Sequence, residues 1–230
     1  MDAVVAYNNQ GVYFYEIGVL EQANACFRNA ARGVRSIRER WKLSNRTASK
    51  SAHNYYDPIK GWSAPPRTAP LQEGYSVMFI RALILNDFDF SLMMPSNEDI
   101  DALALVVLYN SAALNHCYSD SRGQITTSTD AAHHGYEQTY IMAKKLNGKI
   151  SSRFSFHLKV LEMSICNNMG VLYHNNFGRF RDAAQCFKSS RKQMELIEKQ
   201  LICSGSVTAE ELQQLSLNIL VVPVATTPVA

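Results

Sequence analysis

Five cysteines, Cys26, Cys117, Cys166, Cys186 and Cys203, are an odd number with no paired spacing. No disulfide framework can be read from them, and reduced thiols in an intracellular compartment are expected. Charge is also sparse. Charged residues make up 19% of the chain and the formal net charge is +3, too little by itself to imply nucleic acid or an anionic membrane. No apolar run is expected to cross a bilayer. The start, Met1-Asp2-Ala3-Val4-Val5, lacks a basic region and a cleavage site, so a cytoplasmic or nuclear protein is expected. Asn45-Arg46-Thr47 fits the glycosylation pattern, but without an export signal it reads as chance. There is no nucleophile elbow, no phosphate-cradling glycine loop and no carboxylate pair in a plausible cleft. The expectation is a protein that is not an enzyme and uses no cofactor and no metal.

What the chain does have is self-similarity. Tyr7-Asn8-Asn9-Gln10-Gly11-Val12-Tyr13-Phe14 reads almost like Cys166-Asn167-Asn168-Met169-Gly170-Val171-Leu172-Tyr173. Each is followed by a small residue and an aromatic four positions later, Ala23 with Phe27 and Ala183 with Phe187. Repeats of this kind signal stacked helical hairpins, which build binding surfaces. At 230 residues and 47% hydrophobic composition, the chain suits one domain with a substantial core.

The spacing predicts a first helix over about 2–16, closed by Gly18, and a second carrying Ala23, Phe27, Ala30, Val34 and Ile37 on one face. From about 43 to 97 the pattern changes. Five prolines (Pro58, Pro65, Pro66, Pro70, Pro95) rule out a continuous helix there. Within this insertion, residues 74–86 read as an extended segment packed along the helices, and Trp62, Tyr55 and Tyr56 are expected to pin the rest. Helices follow at about 98–119, 129–147, 151–175 and 179–201. Thr208-Ala209-Glu210-Glu211 reads as a capping-box start of a short closing helix. Pro223 and Pro228 leave the tail 219–230 without helix. The expected fold class is all-α: a short α-solenoid of about three irregular hairpins in a single domain spanning 1–230, with a long insertion after the first hairpin.

These residues resemble the tetratricopeptide repeat (TPR) family. Gly11, Phe14, Gly18, Ala23, Phe27 and Ala30 match its pattern at the expected spacing. Gly170, Tyr173, Ala183 and Phe187 match with one extra residue in the turn Asn175–Arg179, and Ser190 replaces the last alanine. Asn110-Ser111-Ala112, then Ala131 or Ala132 with Tyr136, looks like a degraded third unit. The combination also resembles divergent TPR-like proteins of diatoms and related algae. It covers about six helices and leaves the insertion 43–97 unexplained. The resemblance implies a non-catalytic scaffold or adaptor that binds a peptide or partner protein in a concave groove. Asn9, Asn110 and Asn168 would form an amide ladder there, since an amide both donates and accepts regardless of partner sequence. Val12, Ala113 and Val171 would form the floor, with Tyr15, His116 and His174 a helical turn away. The alternative is that these asparagines satisfy polar groups between hairpins. The family's carboxylate clamp is not expected, because Val12 and Val171 stand where it needs asparagine.

Other signals carry less. Arg28, Arg32 and Arg35 share one helical face within a basic stretch, an alternative site for RNA or an acidic partner. The acidic stretch Asp87, Asp89, Glu98, Asp99 and Asp101 could instead face it. His133-His134 with His116 and Cys117 do not have metal-ligand spacing. The sequence implies a protein or peptide partner rather than nucleic acid or a membrane, and leaves an oligomer possible.

Overall fold

Helix α1, Asp2–Glu16, ends where its sequence supplies a left-handed residue. Gly18 has φ 76°, its N–H donates to the Tyr15 carbonyl at 3.1 Å, and the Val19 N–H reaches back to Phe14 at 2.8 Å. This pair of bonds satisfies carbonyls that the helix end would leave open. The computed structural model describes residues 2–47, 62–63, 84–85, 97–122, 127–147 and 155–203. After α1 come α2 (Leu20–Thr47), α3 (Asn97–Arg122), α4 (Thr127–Asn147), α5 (Ser155–Asn175) and α6 (Phe180–Cys203). Between α2 and α3, β1 (Trp62–Ser63) and β2 (Ile84–Leu85) form an antiparallel ladder pairing Trp62 with Leu85 and Ser63 with Ile84. The fold is all-α, the ladder being too short to make a layer.

Helix α2 runs four residues past the expected break at 43. No proline or glycine occurs between Gly33 and Pro58, and Ser, Asn and Thr weaken a helix by only a few tenths of a kcal/mol each, on the order of 0.5. The expected closing helix from Thr208 and the tail 219–230 lie outside the described residues. So do 74–83 and residue 86 of the expected extended segment. Ile84–Leu85 are extended, and their Cα atoms come within 8 Å of those of α1.

The helices pack chiefly in sequence order: α1 on α2, α2 on α3, α3 on α4, α4 on α5 and α5 on α6. Within a pair, a missing side chain sets the approach. A Cβ on Gly11 would sit 2.6 Å from the Phe27 ring, and one on Gly170 would sit 2.6 Å from the Phe187 ring. In the middle pair the exchange is reversed. Ala112 fills the first-helix position, and Gly135 on α4 is bare opposite it, a Cβ there lying 2.8 Å from that of Ala112. The turn of the last pair is one residue longer, as its sequence suggests. Gly178 has φ 63° and the Arg179 N–H closes back to Tyr173 at 2.8 Å.

Helix α3 is apolar on almost every side, with Ile100, Leu103, Leu105, Val106, Tyr109 and Leu114 all buried. This corrects the expectation that no apolar run has membrane-spanning length, for Asn97–Ser119 is long and apolar enough by composition. The physical reason is its central position, in contact with α1, α2, α4 and α5. Polar ties join the pairs. The buried Glu162 carboxylate of α5 accepts from Lys144 Nζ at 2.8 Å, Asn147 Nδ2 at 3.2 Å and Gln193 Nε2 at 3.4 Å. Arg38 of α2 pairs with Asp101 of α3.

The bare glycines yield a test. Alanine at position 170 gains about 1 kcal/mol of helix propensity but overpacks against Phe187, at a cost of about 1–3 kcal/mol. Gly170→Ala is therefore expected to lower the melting temperature in calorimetry, and adding Phe187→Leu to recover part of the loss. A Gly170→Ala protein as stable as the parent would contradict the close contact.

Candidate functional site

The first helix of each pair places its amide two residues before the small contact residue, and the structure decides where those amides point. The one buried on α1 is Asn8, with Asn9 only half-buried. Asn110 Nδ2 on α3 donates to Asn8 Oδ1 at 2.9 Å, and Asn8 Nδ2 donates to Asn9 Oδ1 at 3.1 Å. On α5, Asn168 Nδ2 donates to the Tyr136 hydroxyl at 3.1 Å and lies 3.4 Å from that of Tyr109. Asn167 Nδ2 is 3.4 Å from Asn168 Oδ1. Asn8, Asn9, Asn110 and Asn168 each hold at least one further interaction. The amides are therefore links between helices rather than a row projecting into an open cleft.

Most of the expected groove is interior. Asn110, Asn168, Ala113 and His116 are fully buried, and Val12, Val171 and Tyr15 nearly so. Val12 and Tyr15 pack with Ala23, Phe27 and Leu114, and Val171 packs with Tyr173, Ala183 and Phe187. Asn9 and His174 alone of the nine are half-exposed. His174 Nδ1 meets Asn175 Oδ1 at 2.8 Å, and its ring stands edge-on to Phe180. The expectation of an open floor and rim is thus corrected at the other seven positions. Each sits where α1, α3 and α5 meet their neighbours, so packing covers what helical spacing alone leaves facing outward.

Of the seven buried positions, only His116 and Tyr15 carry ionisable side chains. Burial lowers His116 to about 3, so its imidazole is neutral at ordinary pH. Asn168 donates to the Tyr136 hydroxyl, which leaves the phenol proton free for His116 Nδ1, 3.4 Å away. Burial also raises Tyr15, whose hydroxyl contacts Cys117 Sγ at 3.0 Å, with the Cys117 charge raising it further. Tyr109 is likewise raised by burial, against the opposing hydrogen bond from Asn168. Cys166 is pushed up to about 12 by burial and then by neighbouring Cys186, itself raised to about 11 by burial. The Cys166 and Cys186 thiols and the Tyr15 and Tyr109 phenols therefore stay protonated at neutral pH.

The remaining sequence signals separate. His116 faces Tyr136, His133 Nε2 meets the Tyr173 hydroxyl at 2.8 Å, and Cys117 faces Tyr15. Among the described residues no group of three or more His, Cys, Asp or Glu is placed to hold a metal ion. Arg28, Arg32 and Arg35 are all exposed. The expected facing of the acidic and basic stretches is seen in the Arg38–Asp101 pair, while Asp87 and Asp89 lie outside the described residues. Compared with protein-family models, with curated proteins and with solved structures, the chain matches none.

Three contributors were not legible as such. Asn8 is the interior member of an Asn-Asn pair whose two members fit the pattern almost equally well. Tyr109 and Tyr136 bring hydroxyls to Asn168 from two different helices. Tyr136 was marked as a packing aromatic by its place four residues after Ala132, matching Phe27 after Ala23 and Phe187 after Ala183, but its hydroxyl's role was not.

His116 provides a pH test. Its folded value lies below the unfolded one near 6.5, so its neutral burial contributes stability above that unfolded value. The contribution is lost as pH falls from there toward about 3, at about 1.4 kcal/mol per pH unit. Urea denaturation of the parent is expected to weaken by about 2 kcal/mol between neutrality and about pH 5. His116→Phe is expected to flatten that part of the curve; an unchanged slope would remove His116 as its source.

Proposed function

We propose that the protein is a non-catalytic interaction scaffold or adaptor, a three-hairpin α-solenoid resembling the TPR family. On this reading it binds an extended segment of a partner beside α1, where the protein's own β2 lies. The observation that supports this is β2: an extended stretch of the protein's own backbone already runs beside α1. Extended backbone carries unpaired N–H and C=O groups along its free side. Neutral amides and hydroxyls meet such groups without selecting a charge.

The buried positions of α1, α3 and α5 are closed by the helices themselves, so a partner segment binds at the side of α1 where β2 lies, by replacing the resident one. A tethered segment competes at an effective concentration on the order of millimolar. A free peptide therefore gains access readily only where the resident strand is weakened. Asn9 and His174, the half-exposed members, are where an incoming segment meets the wall first.

The test uses a labelled peptide copying residues 74–86, offered to the full-length parent and to full-length Ile84→Asp/Leu85→Asp. Fluorescence anisotropy is expected to show at least about tenfold tighter peptide binding by the substituted chain, corresponding to about 1.4 kcal/mol, with unchanged helical circular dichroism. Equal or absent binding in both chains, with helicity intact, would remove the wall as a peptide site.

A further inference from the structure

Helix α2 concentrates charge to a degree the whole chain does not. Between Leu20 and Thr47 it carries seven basic residues and two acidic ones, Glu21 and Glu39, a net of five positive charges. The complete chain has a net of three, so everything outside α2 sums to two negative charges. One of the seven, Arg38, is half-buried and pairs with Asp101. Arg28, Arg32, Arg35, Arg40 and Lys42 are exposed.

Their placement is ordered by the packing. Ala23, Cys26, Phe27, Ala30, Val34 and Ile37 turn inward. The opposite stripe presents Arg28, Arg32 and Arg35 at intervals of four and three residues, one face of the helix. Among the described residues no carboxylate pairs with these three. Arg32 Nη1 meets only the neutral Asn29 Oδ1, at 3.3 Å. Their cost of mutual repulsion is thus unrelieved within the described structure, and the field they create faces solvent.

We propose that this outer face of α2 docks an acidic polypeptide segment, at a surface separate from the wall of first helices. Geometry favours an extended acidic peptide. Arg28 and Arg32 are offset by about 6 Å along the axis, close to the roughly 6.7 Å between alternate side chains of an extended chain. Carboxylates at alternate positions therefore meet the guanidinium forks of Arg28 and Arg32, which bind them through paired hydrogen bonds. Single-stranded RNA fits less well, because its binding sites combine charge with aromatic stacking platforms. The aromatic residues of α2 do not provide one: Phe27 is buried and Trp41 packs against the core. Glu39 also interrupts the stripe, which a continuous phosphate track would oppose.

The experiment measures anisotropy of a labelled peptide of alternating Glu and Ser, and of a labelled oligouridine, with the full-length chain. The peptide is expected to bind saturably at low salt and to weaken at least about tenfold by ~0.3 M salt, where screening shortens the reach of exposed charges. Arg28→Glu/Arg32→Glu/Arg35→Glu is expected to abolish binding, with helicity and melting temperature retained. The milder Arg28→Gln/Arg32→Gln/Arg35→Gln is expected to weaken it at least about tenfold, and decides the matter should the charge reversal disturb folding. Ile84→Asp/Leu85→Asp is expected to leave it unchanged, which separates this face from the wall. No peptide binding by the parent, equal binding by the glutamine variant, or tighter binding of oligouridine than of the peptide would each overturn the proposal.

Discussion

A phenyl ring lying on a bare glycine sets the separation of the helices in the first and last pairs. Gly11 under Phe27 and Gly170 under Phe187 leave no room for even a methyl group. The helices can therefore approach closely, and the ring fills the space a side chain would have taken. The middle pair reaches the same end by exchanging roles, Ala112 on the first helix meeting Gly135 on the second. Each pair becomes a firm unit whose remaining apolar surface must be buried against the next. The central helix α3 receives that burial from several directions, which is why it is apolar nearly all round.

Close packing of the first helices has a second consequence. Polar side chains on α1, α3 and α5 are taken from water and must find partners on one another or on the neighbouring α4. They do so with neutral groups: amide to amide from Asn110 to Asn8, amide to phenol from Asn168 to Tyr136, phenol to imidazole from Tyr136 to His116. Carboxylates are enclosed too, at Asp99 and Glu162. The buried Glu162 is answered by Lys144, whose side chain remains partly in water, the half-buried Arg38 pairs with Asp101, and Arg28, Arg32 and Arg35 are exposed. The wall is thus closed by neutral pairing, while the outer face of α2 presents Arg28, Arg32 and Arg35 to solvent.

The comparison of sequence with structure is instructive at particular residues. The helices were legible because apolar periodicity and turn glycines are local properties. Gly18 adopts the left-handed conformation its position suggested, and the longer last turn, legible as one extra residue, is closed by Gly178 in the same conformation. The continuation of α2 to Thr47 is not legible locally, because Ser44 and Asn45 look like helix breakers but are only mildly unfavourable. The role of Gly135 was hidden because a repeat pattern looks for the small residue on the first helix, and the middle pair shares the requirement across both.

The candidate site was less legible for a geometric reason. Successive residues of an α-helix point about 100° apart, so Asn8 and Asn9 face different neighbours although both fit the same local pattern. Only the approach of α3 decides which of them is enclosed. The sequence by itself determined the helices, their turns and the small residues that let them touch, since these follow from backbone preference and side-chain size. Only the tertiary structure decided that the shared asparagines lie inward and the arginines outward, because burial depends on which helix arrives from elsewhere in the chain.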